Sequence, residues 1–315
     1  MPMGMASAAY VLWKKFMSHN PADPKWINRD RFVLSAGHGS MLLYSMLHLC
    51  GYDMSLDDLM NFRQWGSKTP GHPEYEPELG IEATTGPLGQ GISNAVGMAV
   101  AEKYLAEYYN RKDFPVIDYN IYSIAGDGCL QEGISSEACS LAGHLGLDNL
   151  VVIYDDNSIT IDGSTDISFT EDVVARYEAY GWKVITVDGD GDDISAIEIA
   201  LNEARAVNTA PVLIKLRSHI GYGSPNFQDS HKAHGSPLGE DEVRLIKENM
   251  GWDPDKSFVV PDPVRDDFAE VGAKGKEAQN AWEQMFSGYK REHSDLASEF
   301  NDALSGKLPV DLASV

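Results

Sequence analysis

The sequence predicts an α/β fold: a mainly parallel sheet with helices on both faces. Three observations carry that expectation. Short apolar runs alternate along the chain with segments of helical period, a pattern that builds parallel sheets rather than meanders. Two of those runs end in turns rich in glycine or acid and amide groups, at Ala125-Gly126-Asp127-Gly128 and Asp155-Asp156-Asn157-Ser158. Thirty positions separate Asp127 from Asn157, which is room for one crossover helix between neighbouring parallel strands.

Taken in order, residues 41–52 form an apolar stretch interrupted by His48, too short to span a bilayer and read as a core helix. Ile92, Ala95, Val96, Ala99, Val100 and Tyr104 recur at helical spacing, so an amphipathic helix starts just after the glycine-rich stretch 86–91. Residues 119–125 and 150–154 read as buried strands, each ending at one of the turns above. Further strands are expected at Lys183–Val187 and 211–216, with a helix over 194–207 between them. From Trp282 the positions Met285, Phe286, Tyr289, Leu296, Phe300 and Leu304 suggest one amphipathic helix with a break near His293 and Ser294. Its apolar face should cover the first domain, and residues 306–315 should begin a crossover. The expected division is therefore 1–275 for the main domain and 276–315 for a helical extension with the start of a linker.

Composition narrows the functional classes. At 315 residues and 43% hydrophobic content the chain can bury a substantial core. A formal charge of −23 argues against nucleic acid or an anionic membrane as partner. Small anions remain compatible with it, because distant surface acids are largely screened beyond about 8 Å at physiological salt, whereas a divalent ion in a pocket acts directly. Cys50, Cys129 and Cys139 show neither metal spacing nor a disulfide framework, and no signal peptide or spanning helix is visible. A cytoplasmic setting follows as an expectation.

The two strand-end turns carry the chemistry. Asp127 sits at the carboxyl end of its strand, the edge where open α/β sheets bind ligands. Its flanking glycines let backbone turn tightly and approach a ligand. Asp127 and Asn157 can offer oxygens to one Mg²⁺, whose octahedral shell is completed by water, carbonyl and phosphate oxygens. As plain sequence they also read as a turn acid and a helix cap. His38, His72, His231 and His234 lie in loops, three of them beside glycine or proline, where a near-neutral imidazole can move protons or bond phosphate and sugar oxygens. Their irregular spacing disfavours a histidine-built metal site.

Gly126-Asp127-Gly128 followed thirty residues later by Asn157 resembles the thiamine diphosphate signature. Other blocks narrow the resemblance to the transketolase family: Ser35 to Ser40, Phe62-Arg63-Gln64, Ser67 to Pro73, Thr84 to Ile92, Tyr180-Gly181-Trp182 and Gly221 to Asn226. The resemblance runs in register from Met1 onward and covers the family's cofactor-diphosphate domain. It implies thiamine diphosphate with Mg²⁺, for which Ca²⁺ or Mn²⁺ could substitute, bound by Asp127, Asn157 and the carbonyl of Ile159. It places Gly86, Pro87, Leu88, Gly128 and Ile161 around the cofactor, with Leu88 and Ile161 keeping it bent. By the same resemblance His38 and His231 approach the diphosphate, His72 and His231 face the substrate, and His234 is loop support. Glu132 and Glu137, which as plain sequence are first-turn helix acids, match acids of the family's dimer interface and would titrate high if buried.

The implied reaction moves a two-carbon ketol unit from a ketose phosphate to an aldose phosphate. The family's activating glutamate belongs to a pyrimidine-binding domain that has no counterpart here, and a Gly-His-Pro-Gly segment normally precedes the block at Met1. The chain thus reads as a fragment or half of a split enzyme, expected to act as a homodimer or with a chain carrying the second domain. Dihydroxyacetone synthase and a non-catalytic cofactor-holding module stay open as alternatives.

Overall fold

A computed structural model describes residues 1–187 and 191–307. Five strands form one parallel sheet: β1 (Arg31–Leu34), β2 (Ile121–Gly126), β3 (Leu150–Asp156), β4 (Lys183–Val187) and β5 (Val212–Arg217), in the order β1-β2-β3-β5-β4. Around it run α1 (Ala6–Val11), α2 (Ser40–Cys50), α3 (Leu56–Met60), α4 (Gln90–Tyr109), α5 (Asp127–Gln131), α6 (Gly133–Leu145), α7 (Val173–Ala179), α8 (Ile194–Ala206), α9 (Glu240–Asn249), α10 (Asp262–Glu292) and α11 (Ser294–Leu304).

The strands are apolar on both sides because helices cover both faces, as all-parallel sheets require. Phe32, Leu34, Tyr122, Ile124, Val151 and Ile153 pack into one core layer with α1, α2 and α8. Val33, Ile121, Ala125, Leu150, Val152 and Tyr154 pack into the other with α4, α6 and the two terminal helices. The register pairs Ile121 with Leu150 and Gly126 with Asp155, so β2 and β3 end side by side. That pairing brings the two sequence turns to one edge.

Several readings need adjusting. β1 has no counterpart among the expected strands; its apolar part is only Phe32-Val33-Leu34, behind two arginines and an aspartate. On α4, Ile92, Ala95, Val96 and Ala99 are buried, but Val100 is 37% and Tyr104 67% exposed. These two form a second stripe, on which Tyr104 stacks with Tyr108 at 6.2 Å. The long terminal helix begins at Asp262, well before Trp282, and runs unbroken through residue 276. It stops at His293, where α11 follows. Phe286, Tyr289 and Phe300 are buried against the sheet layer, the Tyr289 hydroxyl donates to the Tyr109 carbonyl at 2.7 Å, and the Trp282 indole donates to the Val116 carbonyl at 2.9 Å. Leu304 is 50% exposed. The expected crossover over 306–315 falls almost wholly outside the described residues. Among the described residues no helix is long and apolar enough to cross a membrane.

Candidate functional site

The loops beyond β1, β2, β3 and β5 enclose a cavity of about 550 Å³ at the carboxyl edge of the sheet. Asp127 lies on its wall as the first residue after β2 and is only 4% exposed. The Tyr154 hydroxyl, reaching across from β3, donates to Asp127 Oδ1 at 2.5 Å. Asp127 Oδ2 is buried and has no hydrogen-bond partner among the described residues. Burial pushes this carboxyl up to about 7; the Tyr154 hydroxyl opposes the rise, and Asp155 and Asp156 add to it.

Asp155 is fully enclosed and also raised by burial, but both its oxygens are engaged. The Ser218 hydroxyl donates to Oδ1, and Asn157 Nδ2 donates to Oδ2 at 3.2 Å. Because Asn157 Nδ2 is committed to that carboxylate, its other amide atom is the oxygen. Asn157 Oδ1 accepts from the Ile159 N–H at 3.0 Å and keeps a second lone pair. The chain then turns through Ser158 at φ 60°, and Arg217 holds that turn by donating to Ser158 Oγ at 2.7 Å. Ile159 pairs with Ser164, and the turn between them presents Ile161 on the cavity wall, 67% exposed. Core packing is therefore not the role of Ile161.

A buried carboxylate oxygen without a donor is costly unless something satisfies it. Here the unsatisfied atom belongs to a set of hard oxygen donors: Asp127 Oδ2, Asn157 Oδ1 and the Ile159 carbonyl. That donor chemistry fits Mg²⁺ or a similar hard cation, and among the described residues no cluster of three or more His, Cys, Asp or Glu offers an alternative.

The opposite wall is built by the stretch before α4. Gly86 and Leu88 line the cavity, whereas Pro87 between them is exposed and off it. Gly128 is a glycine by necessity, since a Cβ there would come within 2.8 Å of Leu88 Cδ1. His38 also lines the cavity, with its imidazole held down to about 4 by burial and by neighbouring His234. His38 and His234 stack with ring centroids 5.0 Å apart, and burial lowers His234 as well. Both imidazoles are then neutral at pH 7, able to donate from one nitrogen and accept at the other.

The structure reverses the expected order of the last two histidines. His234 stands on the cavity wall with Ala233 and Gly235, while His231 is exposed and not among the lining residues. The two are one turn of a short helix apart, His231–Ala233, and only the second reaches the site. His72 lies just outside, lining a neighbouring cavity of about 900 Å³, with its ring within 3.2 Å of where a Cβ on Gly86 would stand. Glu132 lines the cofactor-sized cavity and Glu137 does not, and both are exposed on this chain. Tyr154 and Asp155 were missed by sequence reasoning. The one polar side-chain atom in the otherwise apolar run from Leu150 to Tyr154, Tyr154 Oη, was the available signal.

The chain matches the family model described as transketolase, thiamine diphosphate binding domain, over residues 1–309. It is 54% identical over 310 residues to transketolase of Geobacillus stearothermophilus, covering 98% of this chain and 46% of that one. It is 56% identical over 314 residues to transketolase 1 of Saccharomyces cerevisiae, covering 99% and 46%. A crystal structure of Pichia stipitis transketolase in complex with sedoheptulose-7-phosphate superposes with a TM-score of 0.95 at 51% identity, covering 98% of this chain and 46% of that chain. Leishmania mexicana transketolase gives 0.96 at 47% identity, with the same coverage, 98% and 46%. The chain thus spans about half the length of the relatives it matches. From its fold, its motif blocks and these matches, this chain belongs to the transketolase family.

Proposed function

We propose that this chain supplies the diphosphate-binding half of a transketolase active site, serving transfer of a two-carbon ketol unit from a ketose phosphate to an aldose phosphate. The observation that carries the reading is the buried, unpartnered Asp127 Oδ2 beside Asn157 on the wall of a cavity large enough for a cofactor. Asp127, Asn157 and the Ile159 carbonyl would hold Mg²⁺, with Ca²⁺ or Mn²⁺ as substitutes, and through it the diphosphate of thiamine diphosphate. When bound, that cofactor supplies a carbon nucleophile and an electron sink. The neutral imidazoles of His38 and His234 donate hydrogen bonds to diphosphate or substrate oxygens without adding charge. Leu88 and Ile161 give the site apolar walls, and Gly86 and Gly128 keep those walls close. His72 stands where a sugar would approach from the neighbouring cavity.

Sugar phosphates as substrates are supported by the sedoheptulose-7-phosphate complex of the Pichia stipitis relative. Activation of the cofactor we assign to sequence that the longer relatives carry beyond the match, delivered by a homodimer partner or a chain bearing the pyrimidine-binding domain. Support comes from the exposed apolar side chains of α4 and α6, among them Tyr104, Tyr108, Ile134, Leu141 and Leu145, near which Glu132 and Glu137 lie. The reaction is a pentose phosphate pathway step, and free Cys50, Cys129 and Cys139 suit the reducing cytoplasm.

Calorimetric titration with thiamine diphosphate in the presence of Mg²⁺ tests the reading. Asp127→Ala should weaken binding by roughly 100-fold or more, since loss of a ligand should exceed the 10–100-fold typical of losing a ligand's support. Unchanged affinity would end the metal assignment. Metal-dependent binding with no ketol transfer after the complementary domains are supplied would leave the chain a holding module only.

A further inference from the structure

α4 begins without a side-chain cap of its own. Its N-cap residue is Gly89, at φ 78°, which has no side chain to accept from the first turn. The acceptor comes from another element. Ser35, the residue after β1, is fully buried, and its Oγ accepts from the Ile92 N–H at 3.0 Å. Ile92 is the third residue of α4, a position whose N–H a capping serine normally takes. Gly91 makes the approach possible, since a Cβ there would stand 2.4 Å from Ser35 Cα.

The same hydroxyl makes a second bond. Ser35 Oγ donates to Cys129 Sγ at 3.3 Å, and Cys129 is a buried residue of α5, two places beyond Asp127. The Ser35 N–H donates to the Ile124 carbonyl at 2.9 Å, which fixes its backbone to β2. One side-chain oxygen therefore joins the end of β1 to the start of α4 and to α5. The cofactor-sized cavity lies between the segments so joined: Gly86 and Leu88 line it just ahead of α4, and Asp127 and Gly128 line it at the start of α5. The fit is close, since a Cβ on Gly37 would meet Thr85 Oγ1 at 2.6 Å and the Gly86 nitrogen at 2.7 Å. With so little slack, a shift in the start of α4 carries Leu88 with it.

We infer that Ser35 is a positioning residue: through Ile92 and Cys129 it fixes how far the wall made by Gly86 and Leu88 stands from the Asp127 turn, and so how the ring portion of the cofactor is held. This rests on the proposed function and deepens it. The diphosphate end is built on β2 and β3 and should not feel loss of the cap, whereas the apolar wall should.

The test compares two probes on the full chain with Mg²⁺ present, thiamine diphosphate and inorganic pyrophosphate, by calorimetry. Ser35→Ala should weaken thiamine diphosphate by about tenfold, the order of one lost cap, and leave pyrophosphate within about twofold. Ser35→Cys, whose sulfur is a weak acceptor, should fall between and carries the comparison should the alanine variant fail to fold. Ser55→Ala removes the ordinary cap of α3, where Ser55 Oγ accepts from the Asp58 N–H at 3.1 Å, and controls for lost stability; both probes should stay within about twofold of wild type. Hydrogen exchange at the Ile92 amide should quicken by about tenfold in Ser35→Ala. Equal weakening of both probes, or weakening of neither, overturns the positioning role even where Ile92 exchanges faster, because Ser35 is then a helix cap only. A wild type without Mg²⁺-dependent thiamine diphosphate binding is a separate failure: it refutes the proposed function, and the role of Ser35 toward that cofactor with it.

Discussion

Tyr154→Phe isolates the contribution of one hydroxyl to the proposed cation site. The ring stays in place in the core, and only the donor to Asp127 Oδ1 is removed, at 2.5 Å the shortest polar contact Asp127 makes. Two effects follow from the same geometry. Asp127 loses the group that fixes its carboxyl plane, and its acidity loses the one side-chain hydrogen bond that opposes the rise to about 7. Hydrogen bonds to charged groups contribute about 1.5–3 kcal/mol, which corresponds to roughly 10- to 150-fold in an equilibrium constant. Loss of support to a metal ligand falls in the same range, about 10–100-fold. The expected outcome is therefore a drop of about 30-fold in Mg²⁺-dependent thiamine diphosphate affinity, measured by calorimetry at pH 7.5. The pH dependence carries the sign. Cation binding needs the carboxylate, so affinity should fall as pH drops through about 7 in the wild type, and the fall should begin at higher pH in the variant. An affinity within about twofold of wild type, with an unmoved pH profile, would refute the claim that Tyr154 prepares Asp127.

The remaining predictions concern the loop histidines and a buried acid remote from the site. His234→Phe should reduce cofactor affinity by about tenfold while His231→Phe changes it less than twofold, both read by the same titration; the opposite ranking would return the role to His231. Asp30 is fully buried and pushed up to about 6 by burial, against hydrogen bonds donated by the Ser18 and Asn120 N–H groups. The folded state thus keeps a proton that the unfolded chain gives up near 3.8, so this group's stability contribution is present at low pH and is lost as pH rises from about 4 to about 6. Urea unfolding should show the wild-type advantage over Asp30→Asn shrinking by about 3 kcal/mol across that window; a constant difference would refute it.

The proposed cation site was legible because its two halves are strand ends of one crossover unit. Asp127 and Asn157 follow apolar runs at a separation that parallel pairing explains, and the observed register confirms that the runs lie side by side. Leu88 and Gly128 were legible as motif positions, although their mutual contact was not. The histidine loop was harder. His231 and His234 share composition and neighbours, and a single short turn decides which reaches the cavity, a matter of direction that residue spacing does not encode. β1 escaped because three apolar residues are too few to show a period. The early start of α10 escaped because its first half is exposed and polar, with buried Phe268 and Val271 carrying most of its contact with the core.

The register between β2 and β3 also sets how the site can change length. Lengthening the loops at either end of α6 leaves Gly126 opposite Asp155, because that register is set by the pairing of β2 with β3 and not by the length of the connection. An insertion of one residue inside β3 instead turns every later side chain to the other face, sending Asn157 away from Asp127 and Tyr154 away from its acceptor. Length variation among natural homologues, or in circular permutants and inserted domains built on this scaffold, should therefore collect between residues 132 and 148 and be excluded from the seven residues of β3.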